Sequence, residues 1–223
     1  MVKAGTIFIF CALVWGAPLY ANDEPVRIKG RKTELRNKGV LAVYTDGVEV
    51  IRGKSSLNAR RAAANEETSQ VLADGDVRGR YFAENGDMVE FESASVRYDK
   101  NKSTGFLYGG IKATLKPAED PENIYYLESD EIVVYEDKGV IEALKNVYLS
   151  GREMDVWAQK ALYDSDKNSI ILSGSNPMIV SMDENAINAH QSDNIEILTD
   201  KGSVIFRGSV KSSVWSIKDA GSK

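Results

Sequence analysis

The sequence predicts an all-β domain of stacked strand-turn-strand repeats, and three observations predict it. First, the chain of 223 residues repeats itself. Between Gly30 and Val210 a small residue (Gly30, Ala59, Ser93, Ser129, Ala158 or Ala189) opens each of six units, spaced 29, 34, 36, 29 and 31 residues apart. Units of that length bury an apolar face only by stacking on their neighbours. Second, apolar residues alternate along each unit. In the first five units the positions 12, 14 and 18 after the opener are Ala42, Tyr44, Val48; Val71, Ala73, Val77; Gly105, Leu107, Ile111; Ile141, Ala143, Val147; and Ile170, Leu172, Asn176. Thirteen of these fifteen are apolar, against five of fifteen at positions 11, 15 and 19. Strand side chains point alternately to opposite faces, so a period of two describes strands wetted on one side. Third, position 16 falls on Asp46, Gly75, Gly109, Lys145 and Gly174. Gly inside a strand marks a bulge or a sharp bend, here the place where a strand passes from one wall of the fold to the other.

The elements follow in order. Lys3, the apolar run of twelve from Thr6 to Ala17, and Leu19-Tyr20-Ala21 form the pattern of a cleavable export signal over residues 1–21. Twelve residues are too few to span a bilayer. Cys11 is the single cysteine and lies inside that signal, so the exported chain is expected to have no disulfide. Val26 to Lys29 reads as a first strand, and Asn37-Lys38-Gly39 turns it into Val40–Tyr44. Similar Asn/Asp/Gly turns stand at Lys100–Lys102, Asp137–Gly139, Asp164–Asn168 and Asp200–Gly202. Asn58 to Glu67 has helical propensity, but its place in the repeat predicts strand and turn. Lys116 to Asn123, with Pro117 and Pro121, reads as a loop because the repeat continues across it. An extra residue before Tyr135 and a late Gly208-Ser209-Val210 read as bulges in the fourth and last units. The β-domain is expected over residues 22–215, with a polar tail over 216–223.

Little in the chain points to catalysis. His190 is the only histidine, no nucleophile elbow occurs, and the turn at Asp164–Asn168 lacks the Gly and Glu of a calcium loop. Neither a cofactor nor a metal is expected, and a net charge of −5 argues against nucleic acid as a partner. The charge is uneven, with six cations between Arg27 and Lys38 and an acidic middle from Glu119 to Asp137. Tyr98, Tyr135 and Tyr163 recur near the fifth position of their units, with Leu35 in that place in the first. They form either a ladder of core aromatics or part of an elongated apolar cavity.

The unit from Gly30 to Val50, the step R-G-x-x-x-L-x-A from Arg52 to Ala59, and the segments AQKALYD (Ala158 to Asp164), SASVRYD (Ser93 to Asp99) and Lys145-Asn146-Val147 resemble the OstA-like repeat of the lipopolysaccharide-transport family. The likeness covers nearly the whole exported chain and is greatest to the soluble periplasmic bridge of that family. It implies a twisted β-jelly roll without catalysis. It also implies a groove for lipid A acyl chains, lined by Tyr44, Val48, Val50, Val77, Tyr98, Leu107, Ile111, Val147, Leu149, Tyr163 and Leu172. The edge strands, with Val26, Arg27, Ile28 and Lys29 at one end and Val204, Ile205, Phe206 and Val210 at the other, are expected to dock neighbouring strands. An LptC-like jelly roll at the inner membrane and an LptD-like one at the outer membrane are the implied partners, together with head-to-tail stacking of copies of the chain. A ligand-free β-solenoid with a packed core is the competing expectation.

Overall fold

The computed structural model describes residues 27–82, 86, 88–118, 121–122, 124–151, 154–164, 166–182, 186–198 and 203–216. The expected signal and Val26 lie outside these residues, as do the turn at Asp200–Gly202 and all but Ser216 of the expected tail. Sixteen strands form one antiparallel sheet: β1 (Arg27–Arg36), β2 (Leu41–Arg52), β3 (Ser55–Ala59), β4 (Arg61–Asn65), β5 (Gln70–Phe82), β6 (Met88–Asp99), β7 (Thr104–Lys116), β8 (Tyr125–Tyr135), β9 (Val140–Ser150), β10 (Met154–Asp164), β11 (Ser169–Ser173), β12 (Met178–Met182), β13 (Ala186–Gln191), β14 (Asn194–Leu198), β15 (Ser203–Arg207) and β16 (Lys211–Ser216). The helix-prone stretch after Asn58 is strand, as its place in the repeat requires. Across the Pro-containing loop, β7 pairs with β8, so the sheet runs on unbroken.

Each long strand bends in its middle, and the bends align into a corner that divides the sheet into two walls. The register slips at that point in β1, β5, β6, β7, β8, β9 and β10. At the same point the chain breaks between β3 and β4, β11 and β12, β13 and β14, and β15 and β16. Four strand pairs of this kind make single arms, so sixteen strands amount to twelve arms, each crossing from one wall to the other. The first wall holds β4, β11, β14, β15 and segments such as Leu41–Tyr44, Thr104–Tyr108 and Glu131–Tyr135. The second holds β3, β12, β13, β16 and segments such as Val48–Arg52 and Ile111–Lys116. The fold is a twisted β-jelly roll of stacked strand-turn-strand repeats.

The corner chemistry alternates from arm to arm. In even arms it is a left-handed pair: Asp46-Gly47, Gly75-Asp76, Gly109-Gly110 and Lys145-Asn146 all have positive φ, as do Gly174, Ser175 and Asn176. Gly suits this because a Cβ at Gly109 would come within 2.5 Å of the Ala94 Cβ, and one at Gly75 within 2.8 Å of the Arg60 Cβ. In odd arms the corner residue is small and enclosed: Ala59, Ser93, Ser129 and Ser192 are all buried. The three serine hydroxyls donate to the carbonyl two residues on, at Ser95, Glu131 and Asn194, which satisfies a polar group inside the angle.

Three expectations are corrected here. The sixth unit opens at Ser192, not Ala189, because Ser192 occupies the corner and places Gly208 sixteen residues later, in step with the other units. Tyr135 follows no inserted residue: β8 runs in regular register from Glu131 to Tyr135, and Val134 takes the place that Tyr98 and Tyr163 hold in their arms. Asn176 is a third left-handed corner residue rather than an inward one, which brings Pro177 into the enclosed position.

At the far end of the arms, aspartates start the turns. Asp99 accepts hydrogen bonds from the backbone N–H of Asn101 and Lys102, and Asp164 from that of Lys167, as Asx turns do. The Lys167 ammonium, 2.6 Å from Asp164, holds that carboxyl below the ordinary carboxylate range.

Candidate functional site

The register converts the repeat pattern into continuous rows of side chains. Nearest the corner on the first wall, one inward row runs Thr33, Tyr44, Ala62, Ala73, Val96, Leu107, Ile132, Ala143, Ala161, Leu172, Ile195, Phe206. On the second wall the corresponding row runs Ile28, Val50, Leu57, Gly79, Phe91, Ala113, Leu127, Leu149, Val156, Ile179, His190, Ser212. Apart from Thr33, Gly79, His190 and Ser212, every member of the two rows is apolar. Twelve arms at about 4.8 Å spacing make each row about 50 Å long.

The two inner faces cover each other and form one hydrophobic cluster from Val48 to Ile197. In mid-stack the side chains are sealed: Val77, Val89, Ile132 and Leu172 have no exposed surface. Towards the ends the adjacent inward rows open, and Leu35 is 70% exposed, Val204 39% and Val214 65%. The register pairs run within a wall, while the walls themselves are joined through the backbone at the corner. Away from it they meet through side chains, as where the Phe206 ring lies 5.1 Å from the His190 imidazole.

The groove-lining residues expected from the sequence all reach this interior. Val48, Val77, Leu107, Ile111, Val147 and Leu172 are buried in the cluster, and Tyr44, Val50, Leu149 and Tyr163 pack against it half-buried. Tyr98 is buried in the next row of the first wall, opposite Val71 and Gly105. Burial, and then the adjacent Asp164 carboxylate, push the Tyr163 phenol up, so it stays neutral beside the apolar rows. The interior also includes residues the sequence analysis left out, among them Val96, Ile132, Val134, Ile195 and Ile197, which stand three and five residues after their corners. The same count that found positions 12 and 14 would have found them. His190, two residues before its corner, faces inward and its Nδ1 lies 2.9 Å from the Ser212 hydroxyl.

The outer face of the second wall carries charge. One outer row begins at Lys29 and passes Glu49, Asn58, Arg78, Glu92, Lys112, Glu128, Tyr148, Trp157, Met178 and Gln191 to end at Lys211. Neighbours pair across strands, Lys29 with Glu49 at 3.2 Å, Arg78 with Glu92 at 3.2 Å and Lys112 with Glu128 at 3.6 Å. A shallow depression of about 530 Å³ opens on this face among Arg78, Arg80, Glu90 and Glu92. Further on, the Tyr148 and Trp157 rings pack at 5.3 Å.

Of the expected edge residues, Arg27, Ile28 and Lys29 lie in β1, which pairs only with β2. Val204, Ile205 and Phe206 lie in β15, which pairs only with β14, and β16 pairs only with β13. Among the described residues, both ends of the stack are therefore open edges. Val204 and Phe206 share the inward rows, while Ile205 points outward opposite Glu196. Val210 is exposed in the last corner, outside the strands.

Among the described residues no group of three or more His, Cys, Asp or Glu is placed to hold a metal, and no helix is long and apolar enough to cross a membrane. What the geometry provides is a long apolar interior within a polar shell, open at both edges. The family model described as LptA/(LptD N-terminal domain) LPS transport protein matches residues 27–191, most of this stack. The chain belongs to that lipopolysaccharide-transport family. No curated protein matches it. Among solved structures it is similar to the crystal structure of LptH, the LptA homologous periplasmic component of the conserved lipopolysaccharide transport device from Pseudomonas aeruginosa. The two are 13% identical with a TM-score of 0.29, over 86% of this chain and 96% of that one.

Proposed function

We propose that this chain is a periplasmic carrier of lipopolysaccharide, a bridge that shelters lipid A acyl chains between its two walls and passes them along the stack. The observation that carries this reading is the pair of apolar rows running from the first arm to the last without a charged side chain. Removing acyl chains from water is favourable by about 0.8 kcal/mol per CH₂, so a path across an aqueous gap must stay apolar along its whole length. The lining is Tyr44, Val48, Val50, Val77, Tyr98, Leu107, Ile111, Val147, Leu149, Tyr163 and Leu172. The corner acts as the spine of the clamshell, and the opposite lips, joined by side-chain contacts, part to admit the chains. Residues 1–21 serve as a cleaved export signal and the jelly roll extends over 22–215. The open edges dock an LptC-like jelly roll on the inner-membrane side and an LptD-like one on the outer-membrane side, and the chain performs no catalysis.

Photo-crosslinking tests the reading. A crosslinking residue at Leu107 or Leu172 is expected to capture lipopolysaccharide, and one at Lys112 or Arg78, on the outer face, is not. The complete burial of Ile132, Leu172 and Ile195 also favours a second reading, a ligand-free scaffold with a packed interior. Absence of lipid adducts at both inner positions, with the protein folded, would select the scaffold. Equal labelling inside and outside would overturn the assignment of faces.

A further inference from the structure

The outer face of the second wall changes character partway along the stack. From β1 to β8 the outer row that begins at Lys29 and the next, which begins at Arg27, are rich in charge of both signs, and Arg78 reaches Glu92 at 3.2 Å as Arg80 reaches Glu90 at 2.6 Å. From β9 to β16 the described residues of these two rows include as charged groups only Asp155 and Lys211. Large apolar side chains stand out there instead. Tyr126, at the boundary on β8, is 50% exposed, Trp157 39%, and, one row further from the corner, Met182 60% and Trp215 54%. Two of the three tryptophans of the chain are thus on this face, and the third, Trp15, falls in the expected signal.

The local chemistry narrows what such a patch can take. Tyr148 and Trp157 are directly opposed and their rings pack at 5.3 Å, while the Tyr148 hydroxyl donates to the Asp155 carboxylate at 3.0 Å. In the adjacent row the small polar Ser150 separates Asp155 from Tyr126, which leaves a gap two strand spacings wide, about 10 Å, beside the ring pair. An anionic ligand or an anionic lipid surface needs a cluster of cations, and the described residues of the patch offer Lys211 against Asp155. Five strand spacings by two side-chain steps give a footprint of about 24 Å by 14 Å, less than half of the about 800 Å² that each partner contributes to a stable protein complex. A sugar ring suits the site better. Its faces present weakly positive C–H groups, which pack on the electron-rich faces of aromatic rings, and its rim presents hydroxyls, which a carboxylate, a phenol and a serine can bind.

We propose that this patch binds a glycan of uncharged sugar rings, with Trp157 and Tyr126 as stacking platforms and the Tyr148–Asp155 pair and Ser150 as the polar contacts. The diagonal from Trp157 through Val180 and Ile187 to Trp215 continues the apolar strip, so the polymer lies across the strands on the back of the second wall and leaves the inward rows free. In the space outside the inner membrane a polymer of this kind is the glycan of the cell wall, and binding it tethers the stack to the wall. That source rests on the periplasmic placement proposed above, but the chemistry of the patch does not.

Co-sedimentation of the purified full chain with insoluble chitin, a polymer of N-acetylglucosamine, and with purified cell-wall sacculi tests this. The wild type is expected to pellet with both and to stay bound at high salt, because no ion pair carries the contact. The double variant Tyr126→Ala with Trp157→Ala changes exposed positions, so the fold should be intact by circular dichroism, and it is expected to bind at least about tenfold more weakly. Arg78→Ala, on the charged part of the same face, should bind as the wild type does. A wild type that stays in the supernatant with both polymers would overturn the proposal, as would a double variant that binds undiminished or binding that high salt abolishes. Pelleting with sacculi alone would assign the contact to the stem peptides and overturn the glycan, whereas pelleting with chitin alone would overturn the cell wall as its source. Flotation with phosphatidylglycerol vesicles that the double variant loses, with neither polymer bound, would assign the patch to a membrane surface instead. Lipid crosslinking at Leu107 reports on the inward rows separately, so failure of either claim is recognisable without the other.

Discussion

The middle of the stack and its two ends share the same rows but differ in every other respect. Between β5 and β8 the inward side chains are sealed and the outward charges alternate in sign, as in Arg78, Glu92, Lys112 and Glu128. At the ends the inward face lies open at Leu35, Val204 and Val214, and the outward charges are positive except for Glu34 on β1. Sequence period thus assigns a residue to a face, whereas position along the stack decides whether that face is covered. Strands with two neighbours cover one another on both sides; a strand with one neighbour leaves part of its apolar face open, although Lys29, Lys32 and Arg207 at the ends are ion-paired with Glu49, Glu34 and Glu196.

The largest effect that would sharpen this comparison is on stability. Ile132→Ala, at a position with no exposed surface, is expected to cost about 2–5 kcal/mol through lost burial and the cavity left behind. Val204→Ala sits on the opened edge of the neighbouring inward row, where only part of the side chain is covered, and should cost less than about 1 kcal/mol. Urea denaturation of both variants measures the difference. Equal losses would mean that the ends are as tightly packed as the middle, and the distinction would fail.

A smaller effect is expected at the corner, which runs through both regions. Gly109→Ala must place a Cβ at φ +85° against the Ala94 methyl, and should cost about 1–3 kcal/mol. Lys145 occupies the equivalent corner position with φ +63°, a conformation that costs a side-chain-bearing residue about 1–2 kcal/mol. Its ammonium, 2.6 Å from Glu131, offsets only part of this because the pair is largely exposed. Lys145→Gly should therefore change stability by less than about 1 kcal/mol. Should it prove as damaging as Gly109→Ala, the two corners are not equivalent.

These corners also show how far the sequence could be read. Gly75, Gly109 and Gly174 announced the bend because only glycine fits their backbone without strain, and the alternation of Val71, Ala73 and Val77 identified the inward face. What the sequence hid was phase. Ala189 and Ser192 are both small and three residues apart, and only the enclosed angle, with the Ser192 hydroxyl turned onto Asn194, distinguishes them. Tyr135 looks like Tyr98 in type, yet Val134 holds the equivalent place, because aromatic identity says nothing about the parity of a strand. The inward position of His190 was hidden by the same error of phase. Exposure along the stack could not be read at all, since it depends on which neighbour a strand lacks.

The smallest expected effect is a difference in acid sensitivity between a carboxylate of the middle and one of the edge. Glu90, on the outer face of mid-stack, accepts hydrogen bonds from Arg80 at 2.6 Å and Lys116 at 3.2 Å. The Arg80 bond is the larger cause and overcomes burial, so its carboxyl lies below the ordinary range. Because the folded form holds its proton less tightly than the unfolded chain, the stabilisation is fully present above the unfolded value of about 4.3 and disappears as pH falls through the folded one. With the side chain still 34% exposed, it amounts to a few tenths of a kcal/mol after screening, about the size of a surface ion pair. Glu90→Gln should therefore be slightly less stable than the wild type at neutral pH, and the gap should close below about pH 4. Glu34 has the lower carboxyl, but both its partners, Lys32 and Arg36, stand two residues away on its own strand and tie it to no neighbour, so Glu34→Gln should alter urea stability less than Glu90→Gln at every pH. If Glu34→Gln instead shows the larger acid-dependent loss, the edge ion pairs hold the first strand in place, and the contrast between a mutually satisfied middle and unsatisfied ends would have to be redrawn at β1.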